Sequence, residues 1–217
     1  MEFFEEISTL LSNIPDWLSA LITAFIGAIV GGRYTLKGVN RAAKIAAIQA
    51  RQASNDLQLS VLKGIKGEIS ILLSVYDKRM RVHIDAIGPR NMMQIGFPVG
   101  DDNFTFYEQN AREIAKLNDE SRESIISIYT YARSLIQSFK GNNQLIVDLE
   151  SLTLTLASRP EDDFCKRLYE AKVEVMIDYA QGLKLIDGEV RKAIEDGFIH
   201  IDKEIERLER LNGKVID

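Results

Sequence analysis

The residue types that most often carry covalent or acid–base chemistry are scarce in this chain. There is one cysteine, Cys165, and there are two histidines, His83 and His200. A Cys–His pair drawn from them would supply a thiolate nucleophile and an imidazole base. None lies close to another in sequence, and no HExxH, CxxC, GxSxG or glycine-rich phosphate loop occurs. His83 falls on an apolar helical face, the usual setting of a hydrogen-bonded core histidine. Glu161, Asp162 and Asp163 stand together where a helix begins, and carboxylates there suit the helix dipole rather than a metal. The expectation is a protein that is not an enzyme, with no catalytic residues, no metal and no cofactor. A lone cysteine closes no intrachain disulfide and fits a reducing compartment.

Binding chemistry has more material. The net charge of −5 is unevenly spread. Residues 1–32 carry Glu2, Glu5, Glu6 and Asp16 and no base, whereas residues 33–90 carry eleven Lys or Arg against Asp56, Glu68, Asp77 and Asp85. The remainder is acidic, so one segment is basic and its neighbours are not. Its first group, Arg33, Lys37, Arg41, Lys44 and Arg51, comes before any acid and suits anionic lipid head groups, at about 1 kcal/mol for each cation near the surface. The second group, Lys63, Lys66, Lys78, Arg79, Arg81 and Arg90, lies on the order of 45 Å or more from the membrane along a straight helix. It has two readings: a site for a nucleic-acid or nucleotide ligand, or a solvated face paired with the acidic C-terminal helices.

The element that would bring the first group to a membrane precedes it. From Trp17 to Gly32 there is no charge, and Ile14 extends the apolar stretch past Pro15 and Asp16. Nineteen residues from Ile14 reach about 28 Å, near the thickness of a hydrocarbon core. Trp17 and Tyr34, about 26 Å apart along a helix, stand where interfacial aromatics belong. A cleavable signal peptide would begin with bases, but this chain begins MEFFEEI. A buried soluble helix would not gather five cations immediately after it. The pattern predicts a single-pass inner-membrane helix over 14–33, with residues 1–13 a short extracytoplasmic N-terminus and the C-terminal domain cytoplasmic.

Within SALITAFIGAIVGG, small and large residues alternate in pairs. Ser19, Thr23, Gly27 and Gly31 form one row at four-residue spacing, and Ala20, Ala24, Ala28 and Gly32 form the next. In lipid no hydrophobic force draws helices together, so a small face permits the backbone approach on which association depends. The stripe therefore predicts a homo-oligomer interface. Two tightly crossed helices leave no lumen, while four or more, as in a tetramer, would turn Ser19 and Thr23 toward a narrow one. No ionisable residue within the span marks an ion path.

The rest reads as all-α. A basic juxtamembrane helix or stalk over 34–88 carries Leu62, Ile65, Ile69, Leu72, Tyr76, Met80 and His83 at helical spacing. A cytoplasmic helical domain follows over 89–217. Gly88, Pro89, Gly96, Pro98 and Gly100 mark a loop, followed by helices over about 104–117, 119–140 with a stop at Gly141, and 143–157. Ser158 and Glu161 have capping-box spacing at the start of a last long segment, expected to break near Gly182 or Gly188.

A short acidic outside, the GAIVGG span, an immediate basic stalk and a helical cytoplasmic domain resemble, in overall plan, the single-pass membrane effectors of bacterial anti-phage defence, of which the Hailong-type membrane effector is one. The resemblance covers residues 14 to about 90. It implies a homo-oligomeric ion channel, gated by a cytoplasmic oligonucleotide ligand and opened to depolarise the cell. The alternative is a membrane-tethered scaffold or binding module whose soluble helices recruit a cytoplasmic protein, such as one encoded nearby.

Overall fold

The structure, a computed structural model, describes residues 15–98, 100 and 104–213, without the side chains of Asp16 and Ser19. Every regular element among them is an α-helix: α1 Asp16–Asp85, α2 Thr105–Gln109, α3 Ala111–Ile114, α4 Asp119–Ser158 and α5 Asp163–Gly213. The chain divides into two units between Ser54 and Asn55, a boundary that falls inside α1.

In the first unit, α1 begins after Pro15, whose carbonyl accepts from the Leu18 amide at 2.8 Å. Alanine-rich sequence, AAKIAAIQA, then carries the helix on intrinsic propensity. From Ala20 to Arg51 every residue is exposed.

The second unit is a helical bundle in which α5 runs antiparallel to both the rest of α1 and α4. Its clearest pattern is on α5, whose buried residues Met176, Ala180, Leu183, Asp187, Val190, Ile194, Gly197, Ile201, Glu204 and Leu208 alternate steps of four and three. That is a heptad seam, which keeps one stripe facing its neighbours over many turns. On α4 the residues Ile125, Ile128, Tyr129, Leu135 and Phe139 are buried, and on α1 so are Leu62, Ile65, Ile69 and Met80. The apolar faces read from the sequence are thus the faces buried. Residues 55–88, expected as stalk, supply one wall of this core.

Two expected breaks are absent, and the cap of the last helix is displaced. α4 runs through Gly141, because this glycine lies against the neighbouring helix: a Cβ there would stand 2.1 Å from Tyr179 Oη. α5 continues unbroken through Gly182 and Gly188, where glycine lowers helix propensity by about 1 kcal/mol, far less than a seam of this length supplies. The cap of α5 is Asp162 and not Ser158. Its Oδ1 accepts from the Phe164 and Cys165 amides at 3.0 and 3.1 Å, while Ser158 Oγ bonds back to the Thr155 carbonyl in α4. Pro160, two residues beyond Ser158, moves the restart downstream. The expected 104–117 helix is two short pieces, α2 and α3, joined at Asn110.

The segment between α1 and α2 is held by side chains. Asn143 brackets Phe97, accepting from its amide at 3.0 Å and donating to its carbonyl at 2.7 Å. Glu68 on α1 accepts from the Phe106 and Tyr107 amides at the start of α2 and from Tyr129 Oη on α4, at 2.9, 3.3 and 2.5 Å. One carboxylate therefore ties three elements together.

Candidate functional site

The candidate site from the sequence has two parts, and the structure treats them differently. In the first unit, Ala20, Thr23, Ala24, Gly27, Ala28, Gly31 and Gly32 are exposed along α1, and the Ser19 side chain lies outside the described residues. Nothing within 4 Å would meet a Cβ at Gly27, Gly31 or Gly32. The bulky residues between them are equally uncovered: Trp17 is 68% exposed, Leu21 60%, Phe25 67% and Ile26 55%. Contiguous apolar surface on this scale marks an interaction face.

Among the described residues, no helix is long and apolar enough to cross a membrane. The charge-free run from Trp17 to Gly32 is sixteen residues, about 24 Å of helix against a hydrocarbon core of about 30 Å. Ile14 and the expected N-terminal segment 1–13 lie outside the described residues. The expected span over 14–33 therefore lies partly outside the described residues.

Arg33, Lys37, Arg41, Lys44 and Arg51 are all exposed, and none has an ion-pair partner among the described residues. The second basic group is different. Lys63 Nζ stands 2.7 Å from Glu209, and Lys66 Nζ 2.5 Å from Asp202, both acids on α5. Arg81 pairs with Asp85 one turn along its own helix at 2.9 Å. Three of the six residues of the possible anion site are thus engaged by carboxylates, two of them on α5. The exposed pairs are worth about 0–1 kcal/mol each. Lys78, Arg79 and Arg90 have no ion-pair partner among the described residues.

The nucleophile and base candidates do not converge. Cys165 and His200 lie on the same unbroken helix, thirty-five residues apart, which is about 52 Å along its axis. Burial pushes the Cys165 thiol up, and the hydrogen-bonded Asp162 carboxylate adds to this, so the sulfur lacks the electropositive setting that makes a thiolate. His200 Nδ1 lies 3.5 Å from Glu120 Oε2 without hydrogen-bond alignment.

Sequence reading missed the buried polar network. Tyr76 Oη donates to Asp187 at 2.7 Å, and Arg191 bridges Asp187 and Asp77 at 2.9 and 2.6 Å. Burial first, then the bond to Asp187, holds the Tyr76 hydroxyl protonated far above the usual phenol range. Glu204, fully buried, accepts from Asn118 and is clasped by Arg207. The signal was present as an acid at two heptad positions of α5, Asp187 and Glu204, each followed within four residues by arginine. No protein-family model, curated protein or solved structure matches this chain.

Proposed function

We propose that the chain is a homo-oligomeric inner-membrane protein, anchored by the apolar start of α1 and carrying its helical bundle in the cytoplasm. The observation that carries this reading is the uncovered apolar segment 17–32 followed directly by five unpaired cations. Water is a poor solvent for Trp17, Leu21, Phe25, Ile26 and Ile29 on one helix, and lipid or another copy is the environment that removes their surface from it. A run shorter than the hydrocarbon core is accommodated by bilayer thinning, by snorkelling of flanking Arg33 and Lys37, and by oligomerising. The small rows of the helix supply a face for that last response. The positive charge after the run orients the bundle to the cytoplasm.

In the effector form of this proposal, assembled spans permeabilise the membrane in anti-phage defence, in line with the resemblance of plan. The test is a triple variant, Ala24→Leu, Gly27→Leu and Ala28→Leu. We expect it to abolish disulfide cross-linking through Ala20→Cys or Gly31→Cys, made in a Cys165→Ser background, and to abolish depolarisation on expression. A strictly monomeric wild type in mild detergent refutes the assembly. Depolarisation that survives the triple substitution refutes the effector.

A second reading, a tethered module that recruits a cytoplasmic protein, draws on a different surface. Val147 and Leu154 near the end of α4 and Phe164, Leu168 and Val175 near the start of α5 are exposed. Under that reading, partner capture is lost with Leu154→Glu and Phe164→Glu and survives the triple leucine variant.

A further inference from the structure

The second unit holds a half-open cavity of about 200 Å³ between α1, the segment around Phe97, α4 and α5. Its wall is aliphatic and aromatic, including Leu72, Tyr76, Phe97, Ile136 and Phe139. One charged residue takes part in it, Arg79. Ligand sites are typically concave, largely apolar clefts of this kind. An apolar cavity of about 150 Å³ stays dry and takes up benzene, so this one has room for a single ring or a short acyl chain.

The polar groups in the wall are committed elsewhere, with one exception. Tyr76 Oη is used by Asp187, and Tyr129 Oη by Glu68. The rings of Tyr76, Phe97 and Phe139 pack edge to face on one another, with centroids 5.1 to 6.1 Å apart, so that wall is preformed. Arg79 is exposed and has neither a hydrogen bond nor an ion pair among the described residues, while Lys63, Lys66 and Arg81 on the same helix are all engaged. Apolar walls with one convergent charged group are the usual anatomy of a small-molecule site.

The geometry points to a binding site for a small amphiphilic carboxylate, with its ring or short chain in the cavity and its carboxylate on Arg79. A guanidinium offers a planar fork that matches one carboxylate. A dianionic phosphate fits less well, because the carboxylates of Asp187 and Glu68 stand directly behind two of the cavity's tyrosines and oppose a second negative charge. The site lies wholly within residues 55–213 and does not depend on how residues 15–54 meet lipid.

The test uses the full chain, held in plain buffer or in zwitterionic nanodiscs, whichever keeps it monodisperse, with empty nanodiscs as blank. The probe is 4-fluorobenzoate, followed by fluorine line broadening, and its neutral counterpart is 4-fluorobenzyl alcohol. We expect saturable binding of the carboxylate, weakened roughly tenfold by Arg79→Gln, a variant to which the alcohol is indifferent. Filling the cavity with Ala132→Phe should abolish binding of both probes. Ile136→Phe serves as a second filling variant, and circular dichroism verifies that each is folded. Absence of saturable binding overturns the site, as does binding that persists in both folded filling variants. Equal affinity of wild type and Arg79→Gln for the carboxylate overturns the role of the guanidinium.

Discussion

Residues 16–54 and 55–85 are two lengths of the same helix, and they use the same residue types to opposite ends. In the first length, Gly27, Gly31, Gly32 and Gly38 have open space where a Cβ would be. In the second, a Cβ on Gly64 would stand 2.1 Å from the Phe106 ring. Cations from Arg33 to Arg51 are unpaired among the described residues, whereas Lys63 and Lys66 meet acids of α5. Leu21 and Phe25 are exposed, whereas Leu62 and Ile65 are fully buried. A glycine or a lysine therefore has no fixed meaning on a helix. Its role is set by whether another element of the chain lies opposite, and where none does, the face is left for lipid, another copy or solvent.

The sharpest way to break this contrast is a pair of phenylalanine truncations. Phe139→Ala should cost about 3–5 kcal/mol, since it empties the middle of the α1–α4–α5 core. Phe25→Ala should leave the thermal unfolding of the bundle unchanged within about 0.5 kcal/mol. Comparable losses from the two would mean that residues 16–54 share the core after all.

A smaller effect is expected from the groups that close the bundle. Glu68→Ala leaves the Tyr129 hydroxyl and the amides at the start of α2 without their acceptor, at about 1–3 kcal/mol in urea denaturation. Gly64→Ala should cost about as much, because the Phe106 ring must move. Gly27→Ala, with nothing nearby, should instead leave bundle stability unchanged or raise it slightly.

Charge reversal sharpens the comparison next. Lys37→Glu with Lys44→Glu should weaken binding to anionic vesicles by about 1 kcal/mol or more per site, with a steep salt dependence. Lys63→Glu should leave vesicle binding as it was. Cosedimentation at two ionic strengths reads both.

The smallest effect is a pH dependence where α4 and α5 pair near Asp148. Hydrogen bonds from Gln144 and then from Lys172, at 2.9 and 3.0 Å, hold the Asp148 carboxyl below the usual carboxylate range. Because the folded value is the lower one, the stabilisation is complete above the ordinary carboxylate value of about 4 and is lost as pH falls through the folded one. The difference in urea midpoint between wild type and Asp148→Asn should therefore be present at neutral pH and vanish at strongly acidic pH.

The helical class, the apolar faces of α1 and α4, and the break between residues 86 and 104 were all legible in the sequence. Periodicity is a local property, and Leu62, Ile65, Ile69 or Ile125, Ile128, Phe139 display it without any partner in view. The exposed cations after Gly32 were legible for the same reason, since a cluster with no acid nearby has nothing local to pair with. The role of Lys63 and Lys66 was not, because Glu209 and Asp202 are more than 130 residues away and only antiparallel docking of α5 on α1 brings them within reach.

Glycine shows the division most clearly. At Gly141 and Gly182, sequence alone registers lost helix propensity, about 1 kcal/mol each, and proposes a break. Tertiary structure overrules it, since a long heptad seam outweighs that cost and Tyr179 occupies the space a side chain at Gly141 would need. Local patterning thus determined that this chain is helical and which faces are apolar. Long-range packing decided which of those faces, charges and glycines are spent inside the bundle and which are left to meet something else, because a face can be buried only when another element arrives to cover it.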